Sequence, residues 1–260
     1  MASQEGYDGI ELRFLENDDR LWLRPEFCGP GLARTRQQLG DLGLEIPCVD
    51  TSCFFHHPDA GERKQSLEAG KSMMELAAAL GAGGIRVFGD RVQPGADRHD
   101  TCSWIAEGLR ELAEFGSPLG VQVWLESHGD FARAGDTLEV LALAGHDSVG
   151  VLWDPVNAFT DFGEVPAAGL PLLGGRIRHV HLKDARPPQK PALAGHPAPL
   201  WDPVLMGEGN FPGRDVLRAL RESGYQGFVS FEWEKRWHPD IPEPEIALPH
   251  FMRWIKAERA

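Results

Sequence analysis

The sequence predicts an α/β fold in which a parallel sheet forms a barrel. Short β-branched runs alternate along the chain with longer segments of helical periodicity, and this alternation is typical of parallel strands joined by crossover helices. The chain has 260 residues and a hydrophobic content of 42%, and α/β barrels commonly reach this length undivided. We therefore predict a single domain over residues 1–260.

Seven runs are predicted to be strands, because each is short, apolar and bounded by turn or helix signals. In chain order they are GIELRF (9–14), LEIPCVD (44–50), GIRVFGD (84–90), VQVWLES (121–127), VGVLWDP (149–155), IRHVHLKD (177–184) and FVSFEWE (228–234). A closed barrel of this kind has eight strands. One strand is therefore missing from the count.

Six segments are predicted to be helices. The clearest is SLEAGKSMMELAAALGAG (66–83), where apolar residues recur at spacings of three and four and glycines follow the last of them. The others are 31–42, 100–115, 136–145, 212–223 and 245–258. The prolines of segment 185–203 predict a long loop instead, and long loops in compact domains are usually functional.

The start of the chain bears on the missing strand. SQEGYDGIEL looks like the final turn of a helix that leads directly into a strand. Without a first strand, the sheet has two open edges, at residues 10–13 and 229–231, whose unpaired backbone groups invite association. The edges could draw together into a seven-stranded barrel, or residues 1–6 or a partner chain could cover them. We expect instead that the natural product begins upstream.

Composition excludes several classes of partner. The net charge is −13, from 26 Lys and Arg against 39 Asp and Glu, and such a field repels nucleic acid and anionic membrane surfaces. No apolar run approaches the roughly 20 residues of a membrane span. The four cysteines form no CxxC pair and no secretory signal precedes them, so we expect free thiols and a cytoplasmic location.

Four ionisable residues follow apolar runs at the predicted strand ends. They are Glu126 in WLESHGD, Asp154 in LWDPVNAF, His181 in HVHLKDAR and Glu232 in SFEWEKRW. In a parallel barrel these ends meet at the active-site face. Three carboxylates there would repel one another unless a divalent cation lay between them. We therefore predict that these four residues bind a metal, although a single carboxylate at a strand end is more often a salt-bridge partner and a single strand histidine more often a satisfied core residue.

The donor set also indicates the kind of metal. Three carboxylates and one imidazole favour Mn²⁺ or Mg²⁺, then Co²⁺ or Fe²⁺, over a thiolate-bound zinc, and Mn²⁺ is our first choice. His181 is preferred to His179 because it lies nearer the end of its strand. Glu232 is preferred to Glu234 because it ends the apolar run.

Five phrases, GYDGIEL, WLESHGD, WDPVNAF, RHVHLKDAR and GYQGFVSFEWEKRW, resemble the sugar phosphate isomerase/epimerase superfamily of xylose isomerase-like TIM barrels. The similarity runs from about Gly6 to Trp237 and implies a TIM-type (β/α) barrel with the metal ligands on the same four residues. Family members carry a strand and a helix before the GYDGIEL element. Both are absent here, in agreement with the count of seven.

The resemblance implies a metal-dependent isomerase or epimerase of a small sugar, sugar phosphate or sugar acid. In the epimerases, two glutamates on opposite faces of the substrate remove and return the proton beside a carbonyl, through an enediolate. Glu126 and Glu232 would take those catalytic roles. An inosose-type dehydratase on the same metal barrel, and a non-catalytic barrel that has lost its first strand, remain as alternatives. Assembly into a homo-oligomer is left open.

Further residues near the strand ends are candidates for substrate contact. They are Asn157, Lys183, Arg186 and His128. For Lys183, a salt bridge to Asp184 or another carboxylate is an equal alternative, and His128 could instead brace a ligand. Glu11 and Arg86 are weaker candidates that are more often structural. The tryptophans beside the site are expected to face the helices: Trp124, Trp153 and Trp233.

Overall fold

The computed structural model describes residues 1–188 and 201–258. Its helices in these ranges are α1 Ala2–Glu5, α2 Gly29–Asp41, α3 Ala60–Leu80, α4 Arg98–Gly116, α5 Ala134–Ala144, α6 Pro155–Phe162, α7 Pro166–Leu173, α8 Gly213–Glu222 and α9 Pro244–Ala257. Its strands are β1 Cys48–Phe54, β2 Gly84–Phe88, β3 Gln122–Glu126, β4 Val149–Trp153, β5 Ile177–Leu182, β6 Asp184–Arg186, β7 Asp202–Val204 and β8 Val229–Phe231. The alternation predicted from the sequence is therefore present.

Six of the strands form one curled parallel sheet in the order β1-β2-β3-β4-β5-β8. The paired strands keep their ends level, as when Phe88 of β2 pairs with Glu126 of β3 and Leu182 of β5 pairs with Phe231 of β8. Helices cover the outer face of the sheet. The result is an incomplete TIM barrel, as the sequence predicted, and it gathers the carboxyl ends of its strands at one face.

The first of the seven expected strands, residues 9–14, is reduced to two isolated bridges. Gly9 pairs with Glu45, and Leu12 pairs with Val49 of β1, both in parallel orientation. The Ile10 amide donates to the Glu45 carbonyl at 2.9 Å. Within the described residues this segment has ladder partners on its β1 side only, which is too little to hold a regular strand. It nevertheless runs where the sequence placed it, along the edge of the sheet.

The helical turn expected at the start of the chain is confirmed. It is α1, which ends at Gly6 with a φ of +87°, a left-handed conformation that glycine adopts without strain. Lys256 of α9 donates to the Glu5 carbonyl at 3.2 Å. Between this N-terminal region, β8 and α9 lies a cavity of about 380 Å³, so the two edges of the sheet face each other across an open seam.

All six predicted helices are present as α2, α3, α4, α5, α8 and α9. Two further helices, α6 and α7, were not predicted. Both begin at a proline, Pro155 and Pro166, and α7 also contains Pro171. Proline suits the first position of a helix, but Pro155 directly follows an apolar strand and was included in the predicted strand run 149–155.

The main apolar core lies between the sheet and the helices. Strand residues Val123, Leu125 and Trp153 belong to it, so Trp153 faces the helices as expected. The prediction for Trp124 was wrong: it packs with Cys48 and Leu152 in a separate cluster inside the barrel and stacks on His179. The reason is the two-residue period of a strand, which puts Trp124 on the same face as Glu126.

Trp233 lies on the helix side, as expected. Its ring stacks on Phe231 at 5.5 Å between centroids, and Phe231 stacks in turn on Phe251 of α9 at 4.5 Å. These rings join β8 to the last helix. They form the wall of the seam on the side opposite the N-terminal segment.

The two remaining strands flank the predicted loop. β6 and β7 pair in antiparallel fashion, and residues 189–200, most of the loop expected at 185–203, lie outside the described residues. Asp184 anchors the hairpin because its carboxylate accepts hydrogen bonds from the amides of Ala185, Gly207, Gly209 and Phe211. The hairpin is thereby fixed beside the end of β5.

The cysteines agree with the expectation of free thiols. All four cysteines are free thiols, and Cys48, Cys53 and Cys102 are buried. None of the helices in the described ranges is both long and apolar enough to cross a bilayer.

Candidate metal centre

The structure brings the four predicted ligands together. Glu126 ends β3, Asp154 directly follows β4, His181 lies near the end of β5, and Glu232 directly follows β8. One donor atom from each residue lies within 4.8 Å of the donor atoms of the other three. His181 Nδ1 is 3.6 Å from Glu232 Oε2 and 4.0 Å from Glu126 Oε1. Four separate strand ends thus converge on one point.

The chemistry of this cluster fits a divalent cation. Glu126, Asp154 and His181 are each at most 2% exposed. Among the described residues, Glu126 Oε2, Asp154 Oδ2 and His181 Nδ1 are buried and have no hydrogen-bond partner. Buried acceptors without partners are unfavourable by about 1–3 kcal/mol each. Three carboxylates and an imidazole match the preferences of Mn²⁺ and Mg²⁺, so these residues could hold such an ion.

Both of these unpaired carboxylate oxygens lie at ion-pair distance from a cationic side chain, but without the geometry of a hydrogen bond. Glu126 Oε2 lies 3.2 Å from Arg86 Nε, and Asp154 Oδ2 lies 2.9 Å from Lys183 Nζ. Arg86 is fully buried, also pairs with Asp50 at 3.2 Å, and lies over the ring of Phe88. The site therefore contains fixed positive charges beside its carboxylates.

Asp154 is held by the start of α6. Its Oδ1 accepts from the amides of Val156 and Asn157, as an N-cap residue does. This leaves Oδ2 to face the centre of the cluster. Ser127 and Asn157 brace the same turn: the Asp154 amide donates to Ser127 Oγ at 2.8 Å, and Asn157 Nδ2 donates to the Ser127 carbonyl at 3.1 Å.

Lys183 forms the salt bridges that the sequence left open as an alternative. Its ammonium donates to Glu232 Oε2 at 2.6 Å and to Glu234 Oε1 at 2.8 Å. Asp184 is not its partner, because that carboxylate is taken up by backbone amides. Lys183 and Asn157 both line a cavity of about 130 Å³ next to Glu232. This position is compatible with substrate contact, which stays a prediction for both residues.

The other two predicted substrate contacts, His128 and Arg186, are not part of the four-donor cluster. His128 Nδ1 is 3.1 Å from Asp90 Oδ1, and its ring packs against Phe88. Neither contact is with a predicted metal ligand, so substrate contact and bracing of a ligand both stay predictions for His128. Arg186 lies in the β6–β7 hairpin, in register with Asp202, and its contact with a substrate remains a prediction.

The surroundings shift the ionisation of the cluster. Burial raises the pKa of Asp154 to about 6, with Lys183 opposing the rise. Burial disfavours the charged form of His181, but Glu11 and Glu232 outweigh it and raise its pKa well above the usual value. Burial likewise opposes ionisation of Glu232, whose pKa is nevertheless lowered by Lys183 and His181. Protons and cations therefore compete for these atoms.

Glu11, a weaker candidate in the sequence, has a larger role at the site than its position in the chain indicated. Its carboxylate contacts both histidines of β5: Oε2 lies 2.8 Å from His181 Nε2, and Oε1 contacts His179 Nε2. The available signal was a glutamate inside the apolar run GIELRF, where a lone charge needs a partner. Arg86, inside GIRVFGD, carries the same signal.

A curled parallel sheet with ionisable residues gathered at the carboxyl ends of its strands defines an enzyme-type TIM barrel. The chain belongs to the xylose isomerase-like TIM barrel family, whose profile matches residues 1–258. It is 32% identical to inosose dehydratase of Yersinia enterocolitica over 240 residues, which cover 84% of this chain and 76% of that protein.

Two further comparisons extend the range of relatives. Fructoselysine 3-epimerase of Escherichia coli O157:H7 is 26% identical over 249 residues, covering 89% of this chain and 82% of that protein. The structure of an L-ribulose 3-epimerase superposes with a TM-score of 0.77 at 17% identity, over 98% of this chain and 85% of that chain. The curated relatives named here are thus sugar-modifying enzymes, and the structural likeness supports the fold.

Proposed function

We propose that this protein is a divalent-metal-dependent isomerase or epimerase of a small sugar, sugar phosphate or sugar acid. The observation that carries the proposal is the convergence of four donor atoms from four strand ends within 4.8 Å. The named relatives, inosose dehydratase and fructoselysine 3-epimerase, support a carbohydrate substrate. The reduced cysteines are in keeping with a cytoplasmic enzyme.

Glu126, Asp154, His181 and Glu232 would hold the ion, with Mn²⁺ the first choice and Mg²⁺, Co²⁺ or Fe²⁺ as substitutes. When bound, the ion would supply a Lewis acid that polarises the substrate carbonyl and an adjacent hydroxyl. The chain itself would supply orientation. Asp154 is fixed by the α6 amides, and Glu126 is buried at the end of β3.

Glu126 and Glu232 would transfer the proton beside the carbonyl. Each carboxylate lies next to a cation, Arg86 beside Glu126 and Lys183 beside Glu232. One glutamate removes the proton and the other returns one, on the opposite face for an epimerase. Glu232 is the more accessible of the two, with 22% of its side chain exposed against 2% for Glu126.

The substrate would lie in the cavities that meet at Glu232. Asn157 and Lys183 line the smaller one, of about 130 Å³. The larger one, of about 380 Å³, extends from Glu232 to Arg13 and Arg236, which could bind hydroxyls, a carboxylate or a phosphate. His128 and Arg186 would complete the contacts if the bound substrate reaches them.

The test is a substrate screen in deuterated water with Mn²⁺ added. Ketoses, their phosphates and inososes are incubated with the protein, and proton NMR follows replacement of the hydrogen next to the carbonyl by deuterium. Glu126→Gln and Glu232→Gln should each slow exchange by roughly 100-fold or more, whereas Glu75→Gln on the exposed face of α3 should not. Conversion that retains the original hydrogen would exclude the glutamate pair.

A dehydratase is the second candidate, and the 32% identity to inosose dehydratase favours it. One of the two glutamates, Glu126 or Glu232, would remove the proton beside the ketone. The hydroxyl on the next carbon would then be protonated and leave as water, and a carbon–carbon double bond would form. Mass spectrometry separates the two reactions, because dehydration lowers the product mass by one water and epimerisation leaves it unchanged. A protein that retains no metal and converts no substrate would instead be a non-catalytic barrel.

A further inference from the structure

Glu11 connects the N-terminal segment beside β1 with strand β5, and in the described ranges these two parts of the barrel are not paired directly by backbone hydrogen bonds. It belongs to the irregular segment beside β1, at one edge of the sheet. Its carboxylate reaches His179 and His181 on β5, which are 168 and 170 positions away in sequence. The side chain therefore crosses the interior of the barrel and ends against the back of the candidate metal centre.

The contact with Glu11 determines how His181 is presented. Glu11 Oε2 lies 2.8 Å from Nε2 of the imidazole, and a carboxylate can only accept there, so this nitrogen carries the proton. In the neutral ring, the lone pair is then on Nδ1. Nδ1 is the atom that is buried, has no hydrogen-bond partner in the described part of the chain, and faces Glu126 and Glu232.

His179 holds the other oxygen of the same carboxylate. Its Nε2 contacts Glu11 Oε1, and its ring is 1% exposed and stacks on Trp124 with an interplanar angle of 8°. His179 belongs to the Glu11 cluster and not to the four-donor cluster. Both oxygens of Glu11 are thus engaged, which fixes the orientation of the carboxylate and, through it, that of His181.

We propose that Glu11 is a positioning residue of the metal centre, which selects the Nε2–H form of His181 so that Nδ1 binds the ion. The proposal rests on the metal-binding part of the proposed function. Carboxylates that orient a metal-bound histidine in this way raise metal affinity, and their loss typically weakens it by about 10- to 100-fold. His179 would act one step further out, by holding Glu11.

The test compares Mn²⁺ binding to the full chain and to Glu11→Gln by titration calorimetry. Glutamine has one acceptor in place of two and presents an amide N–H to the other imidazole, so affinity should fall by about 10- to 100-fold. Asp8→Asn is the matched control, since it removes a charge from an exposed position of the same segment without touching either histidine. Its affinity should equal that of the unmodified chain.

A spectroscopic readout separates positioning from a merely structural role. In the Mg²⁺-loaded, ¹⁵N-labelled unmodified chain, His181 should show a proton on Nε2 and none on Nδ1. A proton on Nδ1 would overturn the proposal, and this measurement does not depend on whether Glu11→Gln folds.

The possible failures are distinguishable. If the unmodified chain binds no divalent ion, the proposed function fails together with this inference. If it binds one ion and Glu11→Gln binds it equally well, only the positioning role fails. Two ions per chain, one of them lost in Glu11→Gln, would show instead that Glu11, His179 and His181 are themselves ligands, and would also overturn the proposal.

Discussion

Lys183 Nζ donates a 2.6 Å hydrogen bond to Glu232 Oε2, so a lysine just past β5 neutralises a carboxylate just past β8. The same ammonium lies 2.9 Å from Asp154 and 2.8 Å from Glu234. One positive charge thus serves three carboxylates. It ties the end of β4 to the ends of β5 and β8, close to the open seam of the barrel.

Lys183→Met should destabilise the metal-free protein by about 3 kcal/mol, because removal of one partner of a buried ion pair leaves the others uncompensated. Denaturant unfolding in chelator measures this loss. Addition of Mn²⁺ should restore part of the lost stability. Lys64→Met, on the exposed face of α3, is the control and should unfold like the unmodified chain. Equal stability of both variants would contradict this account of Lys183.

Arg86→Met should destabilise the protein by about 3–5 kcal/mol, since it leaves Asp50 and Glu126 buried without their cation. The stability of Arg86→Lys should lie between those of Arg86→Met and the unmodified chain, because lysine keeps the charge but lacks the planar guanidinium that reaches both carboxylates. The measurement is urea unfolding. Arg34→Met, at an exposed position of α2, should change little. A stable Arg86→Met variant would mean that Asp50 and Glu126 do not need this charge.

Affinity for Mn²⁺ should rise with pH. Ligands bind a metal in their unprotonated forms. Burial raises the pKa of Asp154 to about 6, so protons occupy this ligand below that pH. The pKa of His181 is also raised, by Glu11 and Glu232 against the effect of burial, which extends the competition to higher pH. Calorimetry should find binding weaker at about pH 5.5 than at about pH 7.5, by roughly tenfold per pH unit for each proton displaced. A flat profile would exclude proton competition.

Chelation should lower the melting temperature. A ligand that binds only the folded state stabilises it by about 2.7 kcal/mol when present at roughly 100 times its dissociation constant. The His181→Ala variant should fold yet lose most of this metal-dependent shift, whereas His99→Ala, at an exposed position of α4, should keep it. Retention of full metal occupancy in His181→Ala would point to His179 as the ligand.

Local sequence pattern predicted much of the fold. Apolar spacing located α3 and α4 because helix periodicity is visible within a few turns. Apolar spacing did not locate α6 and α7. Each of these helices begins at a proline and has only eight residues, which is too short to show helical periodicity. The sequence pattern also overestimated the regularity of residues 9–14, since a strand needs a partner ladder that the segment itself does not specify.

The four-donor cluster was also predictable, because it depends on one rule. The carboxyl ends of parallel strands meet at the same edge, so a charged residue directly after each apolar run had to lie near the others. Glu126 and Glu232 are separated by more than a hundred residues, yet their donor atoms lie within 4.8 Å of each other. Trp124 depends on a different rule, the two-residue period of a strand, and its spacing from Glu126 already indicated that it lies inside the barrel.

By itself the sequence determined the alternation of strands and helices, the family, and which residues stand at the strand ends, because all of these depend on local periodicity and on the order of elements. Only the tertiary structure decided that Glu11 reaches His179 and His181, and that Lys183 pairs with Glu232 and not with Asp184. The contacts of Glu11 cross a curled sheet, whereas Lys183 and Glu232 follow the neighbouring strands β5 and β8 of that sheet. The distance between their atoms depends on its curvature and on the packing that selects each rotamer, and neither is written in the spacing of residues along the chain.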